Sequence, residues 1–310
     1  MARDALNGIE VHMGGAGKFI LRILVGAIGL FALNAMAGEQ PLKIMSLSYS
    51  PSGVVTETQM AKGFSESQLR ADLQRLLPYT NRIRTYSVDN GLDRIPAIAK
   101  TLGLKVSLGI WLGSDFAKNA AEVEKALKVI AAFPDQIDRV YVGNEAVVRG
   151  DLKPAQVIAH LKHVKSVLAR TNPGLQAATA EPWYIWEKNP ELAEAGDFIG
   201  AHLFSFWDGV PVQDAIVNLT RRFDDLRKAY PARKVIISET GWPVGGEANE
   251  AAVASAEAQA AFTRAFLKHA AEKSYDYNIV EAYDQIWKTP LEKGSVWGLL
   301  TDGGKPKFDF

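Results

Sequence analysis

From Leu42 onward the chain alternates short apolar runs with longer amphipathic ones. The short runs are β-branched or alanine-rich and read as buried parallel strands. They fall at Lys43–Leu47, Arg82–Tyr86, Lys105–Ile110, Arg139–Gly143, Leu175–Thr179, Phe198–Leu203, Lys234–Ser238 and Ile279–Tyr283. Between them the apolar positions take helical spacing. Ser65–Leu77 places Leu69, Leu73, Leu76 and Leu77 on one face behind Ser65 as N-cap. Further helices are expected at Leu92–Leu102 (stopped by Gly103), Phe116–Phe133, from Pro154 to about Arg170, Glu187–Ala195, Val212–Tyr230 and Glu250–Lys273. Eight strand–helix alternations in roughly 270 residues predict a single (β/α)8 barrel, an α/β fold with its active-site cleft at the C-terminal face. A doubly wound open sheet is the alternative, but the G-x-G-x-x-G fingerprint it often carries is missing after the first strand.

Two strands end on a carboxylate. Val235-Ile236-Ile237-Ser238 runs into Glu239, then Thr240, Gly241, Trp242 and Pro243, which stop the strand. Val140-Tyr141-Val142-Gly143 runs into Asn144-Glu145. Two carboxylates facing each other across a barrel mouth form the pair that glycoside hydrolysis uses. Five tryptophans (Trp111, Trp183, Trp207, Trp242 and Trp287) fall just past strand ends, with Tyr49 and Tyr86 at equivalent places. Flat rings with a polar handle suit a sugar polymer, whose faces alternate C–H and O–H groups. Packing at the top of the barrel is the plainer explanation for one or two such rings.

Composition narrows the partners. The 310 residues are 47% hydrophobic and 23% charged, with net charge +0 and no cysteine. That is ordinary globular material for one large core, with no disulfide, thiolate nucleophile or Cys-ligated metal. No basic patch offers itself to nucleic acid. His160 and His163 share a helix face with no carboxylate to complete a metal set, so no metal and no cofactor are expected. Gly245-Gly246 could imitate a barrel phosphate loop, a reading that stacking aromatics oppose.

The N-terminus carries its own signal. Phe19–Leu33 is apolar except for Arg22, is flanked by Lys18, and precedes the small-x-small site Ala35-Met36-Ala37. Residues 1–37 are therefore expected to be a secretory signal peptide, or an uncleaved anchor, with the catalytic domain at 38–310. Acidic Asp4 and Glu10 do not fit the basic start of a signal, so initiation at Met13 is the more regular reading. The expected location is secreted or periplasmic, as a monomer, with the membrane as partner only if the segment stays attached.

The motifs V-G-N-E at 142–145 and S-E-T-G-W-P at 238–243 resemble glycoside hydrolase family 17 in its bacterial type. R-I-R-T-Y at 82–86 and W-G-L-L at 297–300 also fit. This family holds β-1,3-glucanases and β-1,3-glucanosyltransferases, and the resemblance covers about residues 42–302. It implies a retaining enzyme on β-1,3-glucan with Glu145 as acid/base and Glu239 as nucleophile, and a long cleft over the barrel top. The segment A-H-L-F-S-F-W at 201–207 departs from the N-x-Y-P-F/Y run of plant members, and Thr240 stands where they often carry Ser. Asn144, Tyr86, Trp111, Trp183, His202, Phe206, Trp207, Trp242 and Trp287 are the candidate substrate contacts. Asn144 is placed to hydrogen-bond a sugar 2-OH, and Arg84 to hold a carboxylate or an ion pair inside the barrel. Trp207 and Trp287 are the candidate acceptor platform for glucanosyl transfer. The motifs do not choose between hydrolysis and transfer. A non-catalytic β-glucan-binding protein on the same fold is the competing function, opposed by two intact glutamate motifs. A phosphosugar enzyme is opposed by the signal segment.

Overall fold

The computed structural model describes residues 43–288 and 296–310. The predicted signal or anchor lies outside the described residues. Eight parallel strands close into one barrel in sequence order. They are β1 (Leu47–Ser48), β2 (Arg82–Arg84), β3 (Lys105–Ile110), β4 (Ile137–Asn144), β5 (Ala177–Pro182), β6 (Phe198–His202), β7 (Lys234–Thr240) and β8 (Tyr277–Ile279). Pairing of Leu47 with Ile279 closes the ring. This is the (β/α)8 barrel that the alternation predicts.

The helices lie between the strands in sequence. They are α1 (Glu57–Lys62), α2 (Glu66–Leu76), α3 (Ile95–Leu102), α4 (Phe116–Ala132), α5 (Pro154–Thr171), α6 (Trp183–Lys188), α7 (Pro190–Ala195), α8 (Ala215–Ala229) and α9 (Ala256–Lys273). Their starts follow local chemistry. Ser65 Oγ accepts the Gln68 N–H at 3.2 Å, and Asp115 Oδ1 accepts those of Ala117 and Lys118. Leu69, Leu73 and Leu76 of α2 are fully buried as expected.

Boundaries differ where side chains bond the backbone. The Ala- and Glu-rich stretch from Glu250 has helical propensity, yet α9 starts at Ala256. Asn249 donates to the carbonyls of Phe206 and Trp207, Trp242 donates to Val253 O, and Ser255 caps the helix. These loop-to-loop bonds satisfy the backbone that a longer helix would need. The expected helix at Glu187–Ala195 becomes α6 and α7, broken at Asn189 because Pro190 disfavours helical backbone before it. The short α1 went unpredicted; its Thr56–Gln59 capping box is its only strong signal. Among the strands, β5 runs later than expected and takes in Glu181, while β8 starts and ends earlier.

Two kinds of core result. Between strands and helices the packing is apolar, with Leu161, Val164, Phe266 and Leu226 among many residues at or below 1% exposure. Inside the barrel it is strongly polar. Asp276 accepts from both Arg139 Nη atoms at 3.1 and 3.0 Å, and ion-pairs with Lys234 at 2.5 Å and Arg82 at 3.4 Å. Arg84 lies 4.3 Å over the Tyr141 ring.

Strand pairing shifts register at four places: between Val106 and Ser107 near the start of β3, between Tyr141 and Asn144 in β4, between Ala201 and His202 in β6, and between Ile237 and Thr240 in β7. An extra residue re-aims the side chains beyond it. The last three lie at C-terminal strand ends. Those ends carry Asn144, His202 and Glu239.

Candidate active site

Glu239 is the seventh strand's penultimate residue and is 7% exposed. Its Oε1 accepts from Arg84 Nη1 at 2.6 Å. The same Nη1 donates to Ser238 O, and Arg84 Nη2 donates to Asn144 Oδ1 at 2.7 Å. His202 completes this wall. Its Nδ1 faces Ser238 Oγ at 2.9 Å and its Nε2 faces Asn144 Oδ1 at 3.1 Å. Because Asn144 Oδ1 can only accept, His202 Nε2 carries the proton and Nδ1 accepts from Ser238.

Glu145 follows β4 in left-handed backbone, φ +56°, unusual for a residue with a side chain. Its N–H is tied to Ala180 O at 2.8 Å. The side chain is about one-third exposed and reaches to 3.9 Å from His202 Nε2, while Glu239 Oε1 lies 3.6 Å from the same nitrogen. One ligand atom each of Glu145, His202 and Glu239 lies within 4.8 Å of the others. A cation could bridge such a spacing, but Arg84 already places its charge against Glu239, and both His202 nitrogens are engaged.

The two carboxyls are driven apart electrostatically. Burial raises Glu145, and the charges of Glu239 and Glu181 raise it further, to about 8, against the opposing Arg149 and Lys288. Burial pushes Glu239 the same way. His202, Arg84 and a hydrogen bond from Tyr86 reverse that push and hold Glu239 below the usual carboxylate range. Of the two cations, Arg84 is the one present near neutrality, since burial holds His202 at about 4. One carboxyl thus keeps its proton where the other is ionised, the division of roles that acid–base chemistry requires.

The candidate aromatics separate into rings at the surface and rings that pack. Trp111 and Trp207 are 40% and 43% exposed. Trp111 carries Arg149 at 4.2 Å over its ring, and its backbone N–H is held by the Glu122 carboxylate. Trp183 is half-buried, donates to Asp208 Oδ1 at 3.1 Å and carries Arg222 at 3.5 Å over its ring. Trp287 is half-buried and donates to Gln285 Oε1. Tyr86 is half-buried, with its hydroxyl 2.6 Å from Ser48 Oγ.

Three expected contacts need correction. Trp242 and Phe206 are each 1% exposed, too buried to offer a sugar a stacking face. They pack on each other at 5.3 Å between ring centroids, and Trp242 also meets Phe262 at 5.7 Å. The Trp242 indole turns inward because its N–H finds Val253 O, at 2.9 Å. His202, also 1% exposed, spends both nitrogens on protein partners and acts on the site through Asn144 rather than on a hydroxyl.

Sequence reasoning missed Glu181 and Arg149. Glu181 is the penultimate residue of β5 and precedes Pro182 and Trp183, the pattern that singled out Glu239, but the expected end of β5 at Thr179 placed it in a loop. Arg149 follows Glu145 by one turn and donates to Asn144 O, to Leu112 O and to Asp151.

Residues 46–298 match the BtgE/BtgC glycoside hydrolase domain. The chain belongs to this family. The glucan 1,3-beta-glucosidase of Saccharomyces cerevisiae is 26% identical over 273 residues, covering 79% of this chain and 85% of the yeast protein. A probable beta-glucosidase btgE of Aspergillus flavus is 31% identical over 276 residues, 86% of this chain but 43% of that protein. The chain thus spans most of the yeast relative and less than half of the Aspergillus ones. Among solved structures, a β-1,3-glucanosyltransferase of Rhizomucor miehei in complex with laminaritriose superposes with a TM-score of 0.74 at 27% identity, covering 85% of this chain and 95% of that one. An endo-laminarinase from Formosa has a TM-score of 0.71 at 19% identity and shares the fold. The resemblance to glycoside hydrolase family 17 holds, and the chain is a glycosidase by family. Among the described residues, no helix is long and apolar enough to cross a membrane.

Proposed function

We propose that this glycosidase cleaves β-1,3-glucan with retention of anomeric configuration, through a covalent intermediate on Glu239. The carrying observation is the carboxyl pair. The two side chains place oxygens within 4.8 Å of each other at the ends of β4 and β7. Retaining enzymes hold their carboxyls about 5–5.5 Å apart, whereas inverting ones need ~6.5–9.5 Å to admit a water.

Arg84 engages Glu239 Oε1 and leaves the second oxygen to attack the anomeric carbon. As the C1–Oε bond forms and the glycosidic bond breaks, the Glu145 proton passes to the leaving oxygen. The Glu145 carboxylate then takes a proton from the incoming hydroxyl, whose oxygen bonds C1 and frees Glu239. Asn144 receives two protein hydrogen bonds on its oxygen, so its NH2 is directed to donate to the substrate, at the sugar 2-OH. Tyr86, Trp111, Trp183, Trp207 and Trp287 supply the sugar contacts.

The incoming hydroxyl belongs to water in hydrolysis and to a second glucan in transfer. Transfer is favoured by the 27% identity to the Rhizomucor transferase over nearly its whole length and by the exposed Trp207 ring. The N-terminal pattern supports a secreted or periplasmic protein, cleaved from its signal or anchored by it.

Proton NMR of the first product from laminari-oligosaccharides tests the stereochemistry, and a 2-deoxy-2-fluoro glucoside tests the nucleophile. Retention and a label on the Glu239 peptide are expected. Inversion, or a label elsewhere, overturns the assignment. Mass-resolved products then separate the two acceptors: chains longer than the donor mean transfer, and only shorter ones mean hydrolysis.

A further inference from the structure

A third glutamate lies beside the proposed pair without a role in the steps above. Glu181 is fully buried near the end of β5. Its Oε1 accepts the Val147 N–H at 2.8 Å and its Oε2 faces the Val148 N–H at 3.3 Å. These are the second and third residues after Glu145. The residue before Glu181, Ala180, accepts the N–H of Glu145 itself. Trp186 Nε1 donates to Glu181 O at 3.1 Å and fixes the strand from behind. A left-handed glutamate is sustained only when its surroundings over-determine it. Here one carboxyl group satisfies two N–H groups of the turn that carries it.

We propose that Glu181 is a positioning residue for the reaction: it clamps the turn that carries Glu145 and sets a second acidic group beside the acid/base, so that the proton needed by the leaving oxygen stays on Glu145. The inference rests on the assignment of Glu145 as acid/base. The groups that face Glu145 are Glu239 from β7, His202 from β6, Glu181 from β5, Arg149 from its own turn, Tyr184 from α6 and Lys288 after β8. Burial pushes Glu181 up to about 7 against its two backbone bonds and Arg149, so over the alkaline range it is charged while Glu145 gives up its proton. Its charge then opposes that loss.

The test is the pH profile of kcat/KM on laminari-oligosaccharides for Glu181→Gln, a near-isosteric change that keeps one acceptor for Val147. The alkaline limb should move to lower pH by ~0.5–1 unit, because a neutral neighbour no longer disfavours the Glu145 carboxylate. Glu181→Ala, which also removes the clamp, should lower kcat by ~10-fold or more with KM little changed. A structural role alone would lower Tm and leave the limb in place. An unmoved limb in a folded Glu181→Gln protein overturns the proposal. If neither variant folds, carbon-13 NMR titration of wild-type glutamate carboxyls decides. Two coupled groups titrating above pH 6 are expected, and a single one overturns the proposal. Glu145→Gln separates this failure from a broader one. If that variant keeps full rate, the acid/base assignment fails; if it is inactive while Glu181→Gln matches wild type at every pH, only the role of Glu181 fails.

Discussion

The two poles of the barrel use the same residue types to opposite ends. At the N-terminal pole, Asp276 meets Arg139, Arg82 and Lys234, and Asp138 meets Arg82 at 2.6 Å. Burial would raise Asp276, but Arg139 and Lys234 outweigh it and hold the carboxyl below its usual range. At the C-terminal mouth, Glu145, Glu181 and Glu239 gather around Arg84 and Arg149, and acids outnumber close cations. Glu239 takes the stronger ion pair and is held down, while Glu145 and Glu181 are pushed up. A fully paired charge holds structure. An underpaired one keeps a proton available near neutrality. This agrees with the barrel rule that C-terminal strand ends carry chemistry and N-terminal ends carry stability.

Substitutions at the two poles should therefore dissociate activity from stability. The largest effect is expected at Glu239: Glu239→Ala should lower kcat on β-1,3-glucan by ~10⁴-fold or more, with the far-UV spectrum unchanged. Glu145→Gln should cost ~10²–10⁴-fold on natural glucan and much less on a substrate with an activated leaving group, which needs no proton. At the other pole, Asp276→Asn should leave kcat within a few-fold. It should cost ~2–3 kcal/mol of stability by removing the charged carboxylate that Arg139, Lys234 and Arg82 share, measured by chemical denaturation. Comparable activity losses at both poles would erase the contrast.

The pH dependence of stability sharpens it. Asp276 has a depressed folded value, so its contribution is present above the unfolded value of ~3.9 and is lost as pH falls through the folded one. Glu145 has a raised folded value, so the folded state holds the proton longer than the unfolded chain does. Stability falls as pH rises from the unfolded value of ~4.3 toward 8. Glu145→Gln should therefore be the more stable protein at pH 9, by ~1 kcal/mol, and gain nothing at pH 4. An equal Tm difference at both pH values would contradict this.

The barrel was legible because parallel strands buried on both faces read as continuous apolar runs, and eight of them recur between helical spacings. Glu145 and Glu239 were legible for the same reason: each interrupts such a run at its end. Burial of Trp242 and Phe206 was not, because position relative to a strand end says nothing of which way a loop turns a ring. That depended on Val253 O accepting the indole N–H, a partner 11 residues away. Arg84 was visible as an inward charge, but its three acceptors come from β4 and β7 and meet only when the barrel closes. Glu181 escaped because the expected end of β5, at Thr179, falls two residues before it.

The smallest effect concerns the rim. Trp207 is 43% exposed, packs edge-on against Phe206 at 5.0 Å and lies 5.7 Å from Trp297. Buried neighbours thus hold the ring while leaving it accessible, which lowers the ordering cost of stacking a sugar on it. Trp287 is tied by Gln285 in a comparable way. Replacing Trp207 with Ala should remove a platform contributing on the order of 1 kcal/mol, about fivefold in binding. If the ring serves the acceptor, the loss applies after the glycosyl-enzyme has formed. Donor cleavage should continue at near wild-type kcat/KM, and the transfer-to-hydrolysis ratio on laminari-oligosaccharides should fall about fivefold, as water competes better for the intermediate. An equal fall in donor cleavage and transfer would put Trp207 on the donor side. An unchanged ratio with unchanged cleavage would leave the ring without a part in either.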